Sequence, residues 1–328
     1  MKYVYVLTSS ENDNYYEQFF LSIASLRMFN PYANTIVLVD TQTDSSLKGN
    51  RSGYEKYISE KKIISVPNEF SQKESSRWMK TSIHHYVSGD FLFIDCDTIV
   101  TESLSHNFLP NIQIGAVLDN HVTLDKHYLK ENFTTEDKKT GFSSSLETNV
   151  RYNGGLIFCK DDSPAREFFE KWHNLWNESR GKGCTQDMPS LNQANLEMGG
   201  IISELGGEWN CQISHNGLPY LSKAKLIHYY ATALKTRESP FIFASNQVLG
   251  QIKKTGTIPI DILELLEDPK SAFEYESRIL SGKAEIDVVD SKLFSFLLRL
   301  RKKKPKLFKA SNSFFINVLT RIRNGREK

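Results

Sequence analysis

Paired cysteines are missing from this chain of 328 residues. Its four, Cys96, Cys159, Cys184 and Cys211, lie far apart with no CxxC pair and no zinc-finger spacing. That argues against a disulfide framework or a metal knuckle and fits reduced thiols in a cytosolic protein. Long apolar runs are missing too: no window of about 18 apolar residues occurs, the length a membrane span requires. The opening MKYVYVLTSS holds only a short run that reads as a strand, so neither a signal peptide nor a membrane span is expected. Internal repeats and low-complexity tracts are absent. Acid is scarce in one place, since Ser291 to Lys328 carries 12 Lys or Arg against Glu327 alone, leaving residues 1–290 with 29 basic and 38 acidic groups, a net of −9. An acidic body thus carries a basic tail. At 39% hydrophobic and 24% charged residues, the body is too apolar for disorder and large enough for one α/β domain or two smaller ones.

What is present is an alternation. Short apolar runs at Tyr3–Leu7, Thr35–Val39, Phe91–Ile94, Gly115–Leu118 and Leu156–Cys159 read as strands, and Phe19–Phe29, Trp78–Tyr86 and Ala165–Trp176 have helical apolar spacing between them. Strands alternating with helices predict an α/β fold with a mostly parallel sheet flanked by helices. The division expected is a sheet domain over 1–235, a helical extension over 236–290, with helices near Ile260–Leu266 and Ser271–Leu280, and a tail over 291–328. The tail shows two amphipathic stretches, Leu293, Phe296, Leu297, Leu300 and then Phe315, Val318, Leu319, Ile322.

The chemistry concentrates in FLFIDCDTIV, Phe91 to Val100. A strand buried on both faces delivers Asp95 and Asp97 to the carboxyl edge of the sheet, where open α/β folds bind ligands. Two carboxylates one residue apart repel unless a cation holds them, and hard oxygen ligands suit Mg²⁺ or Mn²⁺ carrying a phosphate. The bland alternative is a strand end with two solvated acids. Phosphatases of the haloacid dehalogenase type also place two aspartates after an apolar strand, as DxDxT, but here Thr98 directly follows the second Asp and Ile99 stands where their Thr is needed.

Six pieces in order resemble the GT-A fold glycosyltransferases, especially glycosyltransferase family 8: YVYVLTSS with NDNYYEQFFLSIASLR, RWMKTSIHHYVSGDFLFIDCDTIV, YNGGLIFCK, QDMPSLNQA, EWN and LIHYYA. The resemblance implies a UDP-sugar donor, a hydroxyl acceptor and transfer with retention, in the setting of bacterial surface polysaccharide or glycan assembly. It implies Asp95, Asp97 and His228 as ligands of Mn²⁺, or Mg²⁺, on the nucleotide diphosphate. Arg77 and Lys80, three apart on one helix face, would meet the donor phosphates or sugar. Thr8, Asp13 and Tyr16 would contact base and ribose, with the aromatic ring stacking on uracil and Tyr15 and Asp40 competing. Asn153, Gly154 and Gly155 would let sugar or acceptor approach a strand, and Gln186 and Asp187 would stand near the reacting carbon as catalytic groups with Asn153. The bland readings are a packed histidine, a solvated basic face and an ordinary helix-start charge. The chain departs from the pattern at Met188, where the family often has Gln. Were the reaction inverting, Asp187 would be the suspected base. A noncatalytic nucleotide-sugar-binding scaffold of the same fold is the alternative class.

The tail junction RLRKKKPK suits a helix lying on an anionic membrane surface, which would make a cytoplasmic enzyme peripheral on the inner face of the cell membrane and bring it to a lipid-linked acceptor. A hairpin packed on the protein itself is the competing reading. No base-reading motif accompanies it, so nucleic acid is not an expected partner.

Overall fold

The computed structural model describes residues 1–104, 112–230, 241–273, 287–289 and 291–325, with side chains as far as Phe315. The described strands are β1 (Lys2–Leu7), β2 (Asn34–Asp40), β3 (Glu60–Ile64), β4 (Phe91–Ile94), β5 (Thr98–Val100), β6 (Ile114–Leu118), β7 (Tyr152–Cys159), β8 (Ile202–Glu204), β9 (Cys211–Gln212) and β10 (Leu226–His228). They form a seven-stranded sheet in the order β3-β2-β1-β4-β7-β6-β8 and a three-stranded sheet in the order β5-β10-β9. In the large sheet only the pairings of β7, with β4 and with β6, are antiparallel. This is the mixed α/β architecture with a mostly parallel sheet that the alternating runs predict, and all five of those runs are strands of it.

Both faces of the large sheet are covered, which is why its strands read as continuous apolar runs. Val4, Val6, Ile36, Leu38, Phe91 and Phe93 pack on one side with Met79, Ile83, Phe168, Phe169, Trp172, Leu191 and Ala194, from the helices Gln72–Thr81, Ile83–Tyr86, Ser163–Gly181 and Met188–Glu197. On the other side the Tyr5 ring meets Phe19 edge-on at 5.4 Å and its hydroxyl lies 3.1 Å from Ser22 Oγ, both on the helix Tyr15–Phe29. The helical spacing over Trp78–Tyr86 resolves into two helices that break at Ser82. The first begins with a capping box, Ser71 and Glu74 bonding each other's backbone N–H.

Beyond residue 240, the helices Asn246–Thr255 and Ile260–Leu265 and a short turn at Ser271–Phe273 belong to the same compact unit as the sheets. The rest of the stretch expected to be helical, 274–280, lies outside the described residues. A second unit holds two helices, Lys292–Lys303 and Pro305–Gly325. Leu293, Phe296, Leu307, Phe314 and Phe315 are exposed on them; the side chains of Val318, Leu319 and Ile322 lie outside the described residues.

Candidate active site

Asp95 and Asp97 point the same way because the chain turns between them. Asp95 donates its N–H to the Gly155 carbonyl at 2.8 Å, fastening it to β7, and the Thr98 hydroxyl donates back to the Asp95 carbonyl at 2.8 Å. Cys96, between the acids, faces away and reaches the Val6 carbonyl at 3.3 Å; burial pushes its thiol well up, so it stays a neutral filler. The small sheet then supplies the third group. Thr98 pairs with His228 across β5 and β10, which sets His228 Nε2 3.1 Å from Asp97 Oδ1. One donor atom each from Asp95, Asp97 and His228 lies within 4.8 Å of the others.

The imidazole is held from two sides. The Tyr230 ring stacks on it at 4.0 Å and 8°. On the opposing strand, Gly155 has no room for a side chain: a Cβ there would sit 2.5 Å from His228 Cε1 and 2.6 Å from Nδ1. Pairing of β6 with β7 slips between Ala116↔Ile157 and Leu118↔Tyr152, so β7 bulges over the segment holding Asn153, Gly154 and Gly155. Burial opposes charge on His228, but Asp97 and then Asp95 outweigh it and raise its pKa. Burial also raises the Asp95 pKa; Lys80 opposes the rise and Asp97 adds to it. Two carboxylates and an imidazole, crowded together at the end of β4, fit a divalent cation of the Mn²⁺ class.

Beside them stands a buried charge cluster. Lys80 Nζ is 2.7 Å from Asp187 Oδ2 and 3.5 Å from Asp95 Oδ1, and Arg77 Nε is 2.9 Å from Asp187 Oδ1. Gly154 makes room for this pair, since a Cβ there would be 3.1 Å from Lys80 Nζ and 3.3 Å from Asp187 Oδ2. Burial alone would raise the Asp187 pKa, but Arg77 and Lys80 hold the carboxyl far below the usual carboxylate range. A carboxylate so engaged is a poor proton acceptor, which corrects the expectation that Asp187 could serve as a base. Asp187 sits at the start of the helix Met188–Glu197 without capping it. Gln186 next to it is exposed, and Met188 Sδ lies 4.0 Å from Asn153 Nδ2.

Asn153 is committed to the scaffold. Its Nδ2 donates to Asp119 Oδ1 at 3.0 Å and to the Tyr230 hydroxyl at 2.8 Å, while its Oδ1 accepts from Gly155 N and Asn210 Nδ2. Both donors and both acceptor positions are used, so Asn153 ties Tyr230 to β7. The residues that complete this network, Asp119, Asn210, Gln212 and Tyr230, follow no period and were not singled out as site residues. Backbone strain marks it: among the described residues the non-glycine positions with positive φ are Asn120, His121, Asn216 and Tyr230. Gln212 Oε1 accepts from Asn120 N and from the Tyr230 hydroxyl, Gln212 N donates to His121 Nε2, and Asn216 Nδ2 donates to the Asn120 carbonyl. Strain collected beside a charged cluster is characteristic of a functional region.

The expected nucleotide contacts divide. Thr8 lies at the carboxyl end of β1, its carbonyl accepting from Gln72 Nε2 at 2.8 Å. The Asp13 carboxylate accepts from Ser9, Ser10, Tyr15 N and Gln72; burial acts against its charge, but these bonds lower its pKa. Asp13 therefore ties the loop after β1 to the helix carrying Arg77 and Lys80. Tyr16 is fully buried, stacked on Phe20 and covered by Arg51, which corrects its assignment as a stacking surface; Tyr15 is half-buried and keeps that possibility. Asp40 caps the helix Thr41–Ser46 by accepting from Thr43 N.

A family profile described as glycosyl transferase family 8 matches residues 6–235. Among solved structures, the galactosyltransferase LgtC in complex with donor and acceptor sugar analogues is similar at 15% identity and a TM-score of 0.50, over 80% of this chain and 98% of that one. An active-site mutant of LgtC is similar at 15% identity and a TM-score of 0.51, over 82% and 100%. The apo form of mouse xyloside xylosyltransferase 1 is similar at 13% identity and a TM-score of 0.47, over 70% and 98%. At 15% identity the likeness to the two LgtC structures speaks for the fold alone. No curated protein matches the sequence.

Proposed function

This chain belongs to glycosyl transferase family 8 and is a glycosyltransferase, and we propose that it moves a hexose from a UDP-sugar to a hydroxyl acceptor using a divalent cation, Mn²⁺ before Mg²⁺, held by Asp95, Asp97 and His228. The observation that carries this reading is the convergence of those three donor atoms within 4.8 Å at the sheet edge. When bound, the ion supplies Lewis-acid stabilisation of the charge developing on the leaving diphosphate. The protein's own groups do the rest. Lys80, 3.5 Å from Asp95, adds fixed positive charge beside the diphosphate. Arg77 and Lys80 keep Asp187 ionised, so that it anchors those two cations beside the donor and does not take a proton. With that carboxylate occupied by its cations, the arrangement supports retention over inversion, which needs a base beside the acceptor hydroxyl. Exposed Gln186 stays available to the sugar or acceptor.

We assign residues 1–235 to the transferase domain, 236–290 to a helical extension and 291–328 to a basic tail. Among the described residues no helix is long and apolar enough to cross a membrane. The exposed Leu293, Phe296, Leu307, Phe314 and Phe315 among 12 basic residues support peripheral attachment to an anionic inner membrane surface, which suits a lipid-linked acceptor in surface glycan assembly. The test is UDP release across a panel of sugar nucleotides with Mn²⁺, with chelator, and in Asp97→Ala. Turnover that vanishes with chelator and in the variant is expected; unaltered turnover in Asp97→Ala refutes the ion's placement. Sedimentation with anionic liposomes, comparing the full chain with one ending at Asp290, tests the tail, and equal binding rejects it.

A further inference from the structure

A second cluster of metal-ligating side chains lies outside this site. Among the described residues, His84, His85 and Glu170 form the other group whose donor atoms fall within 4.8 Å of one another. His84 Nε2 is 2.8 Å and His85 Nε2 2.5 Å from the same oxygen, Glu170 Oε1. Consecutive residues on a helix project about 100° apart and do not normally face one partner. Here the helix Ile83–Tyr86 is a single turn between Ser82 and Val87, short enough for both rings to swing together, 3.9 Å apart and tilted by 47°, over Glu170 on the helix Ser163–Gly181.

We propose that His84, His85 and Glu170 form a site for a borderline transition-metal ion, Zn²⁺ first, that clips the helix Ile83–Tyr86 to the helix Ser163–Gly181. Two imidazoles and one carboxylate are the donor set such ions prefer over Mg²⁺ or Ca²⁺. Glu170 carries two oxygens, one of which already meets both rings, so binding replaces the two N–H···O contacts with N–metal and O–metal bonds after small ring rotations. The His84 side chain is more than nine-tenths buried, with Nδ1 lacking a hydrogen-bond partner among the described residues, and supplies a fixed ligand. His85 and Glu170 are 42% and 50% exposed, which leaves entry and a remaining coordination position open to water. The clip sits before β4, whereas Asp95 and Asp97 follow its carboxyl end, so its ion is structural and takes no part in sugar transfer.

The experiment uses the full chain freed of metal, titrated with Zn²⁺ by calorimetry and with Co²⁺ by visible absorption, in wild type, Asp97→Asn, His85→Ala and Glu170→Gln. Asp97→Asn keeps one Zn²⁺ per chain, and Zn²⁺ at 100 times its Kd raises its melting temperature by about 5 °C. His85→Ala, a change at a half-exposed position, binds one ion fewer than wild type, loses the ligand-field band belonging to this site and leaves UDP release with Mn²⁺ unchanged; Glu170→Gln does the same. Zn²⁺ stoichiometry and affinity equal to wild type in both His85→Ala and Glu170→Gln overturn the proposal, as does an Asp97→Asn chain that folds and takes up no Zn²⁺. Because Asp97→Asn removes the first centre and spares the second, failure here is distinguishable from failure of the transferase reading.

Discussion

Replacing Gly155 by alanine adds one carbon to a strand that has no backbone objection to it, since Gly155 is not among the glycines with positive φ. The consequence is steric. The new Cβ would stand 2.5 Å from His228 Cε1, 2.6 Å from Nδ1 and 2.9 Å from Asn153 Oδ1. Carbon contacts settle near 3.5 Å, so the ring must retreat by about 1 Å. It has nowhere free to go, with Tyr230 stacked at 4.0 Å on its face and Asp97 at 3.1 Å from Nε2. Overpacking of this kind costs about 1–3 kcal/mol, and a reacting group misplaced by about 1 Å costs on the order of 10²-fold in rate. Gly155→Ala is therefore expected to fold with a lowered melting temperature, to bind Mn²⁺ more weakly by electron paramagnetic resonance titration, and to lose about 100-fold in UDP release. Gly154→Ala is the companion test: its Cβ meets Lys80 Nζ at 3.1 Å and Asp187 Oδ2 at 3.3 Å, so it disturbs the ion pair and not the histidine, and Mn²⁺ affinity near wild type is expected. A Gly155→Ala enzyme with wild-type Mn²⁺ affinity and turnover would refute the argument that this glycine exists to seat the histidine.

Three further outcomes follow from the geometry. Asp187→Asn removes the counter-charge of Arg77 and leaves the 3%-exposed Lys80 side chain with Asp95 alone, at 3.5 Å, and lowers stability by about 3 kcal/mol; a urea midpoint equal to wild type would show that the ion pairs are not structural. Burial lowers the His121 pKa from 6.5 to about 4, and its Nε2 accepts from Gln212 N, which requires the neutral ring. The unfolded chain then takes up the proton first as pH falls, so this stabilisation is complete above pH 6.5 and is lost toward pH 4, by at most about 2 kcal/mol at pH 5. Urea midpoints at pH 7 and pH 5 check this against His121→Gln, whose pH dependence is shallower if the reasoning holds. Tyr16→Phe leaves the KM for the donor unchanged, because Tyr16 is fully buried; a KM raised tenfold or more would return Tyr16 to the nucleotide site.

The large sheet was legible because each strand buried on both faces announces itself as an unbroken apolar run, as FLFI in β4 does. β3, whose EKKII is mostly exposed or half-exposed, has no such signature. The three strands of the small sheet span two or three residues each, too short for any alternation to register. The charged members of the site were legible as residue types at a strand end, but the partners that decide their roles were not. Nothing in the spacing says that Asp187 is neutralised by Arg77 and Lys80, or that Asn153 spends its hydrogen bonds on Asp119, Tyr230, Gly155 and Asn210. Tyr15 and Tyr16 are adjacent and chemically alike, and only packing separates the buried ring from the half-exposed one.

The bond between Asp97 and His228 joins positions 131 residues apart, and among the described residues the strand that delivers the histidine is the last in sequence. During synthesis both acids therefore leave the ribosome well before their third companion, and the large sheet can assemble around an unfinished centre. Bringing the histidine to the acids closes one long loop, whose entropy cost grows slowly with its length. A chain ending before Leu226 would lack the strand that brings His228 to Asp97, and the proposed ion site would keep only its two acids.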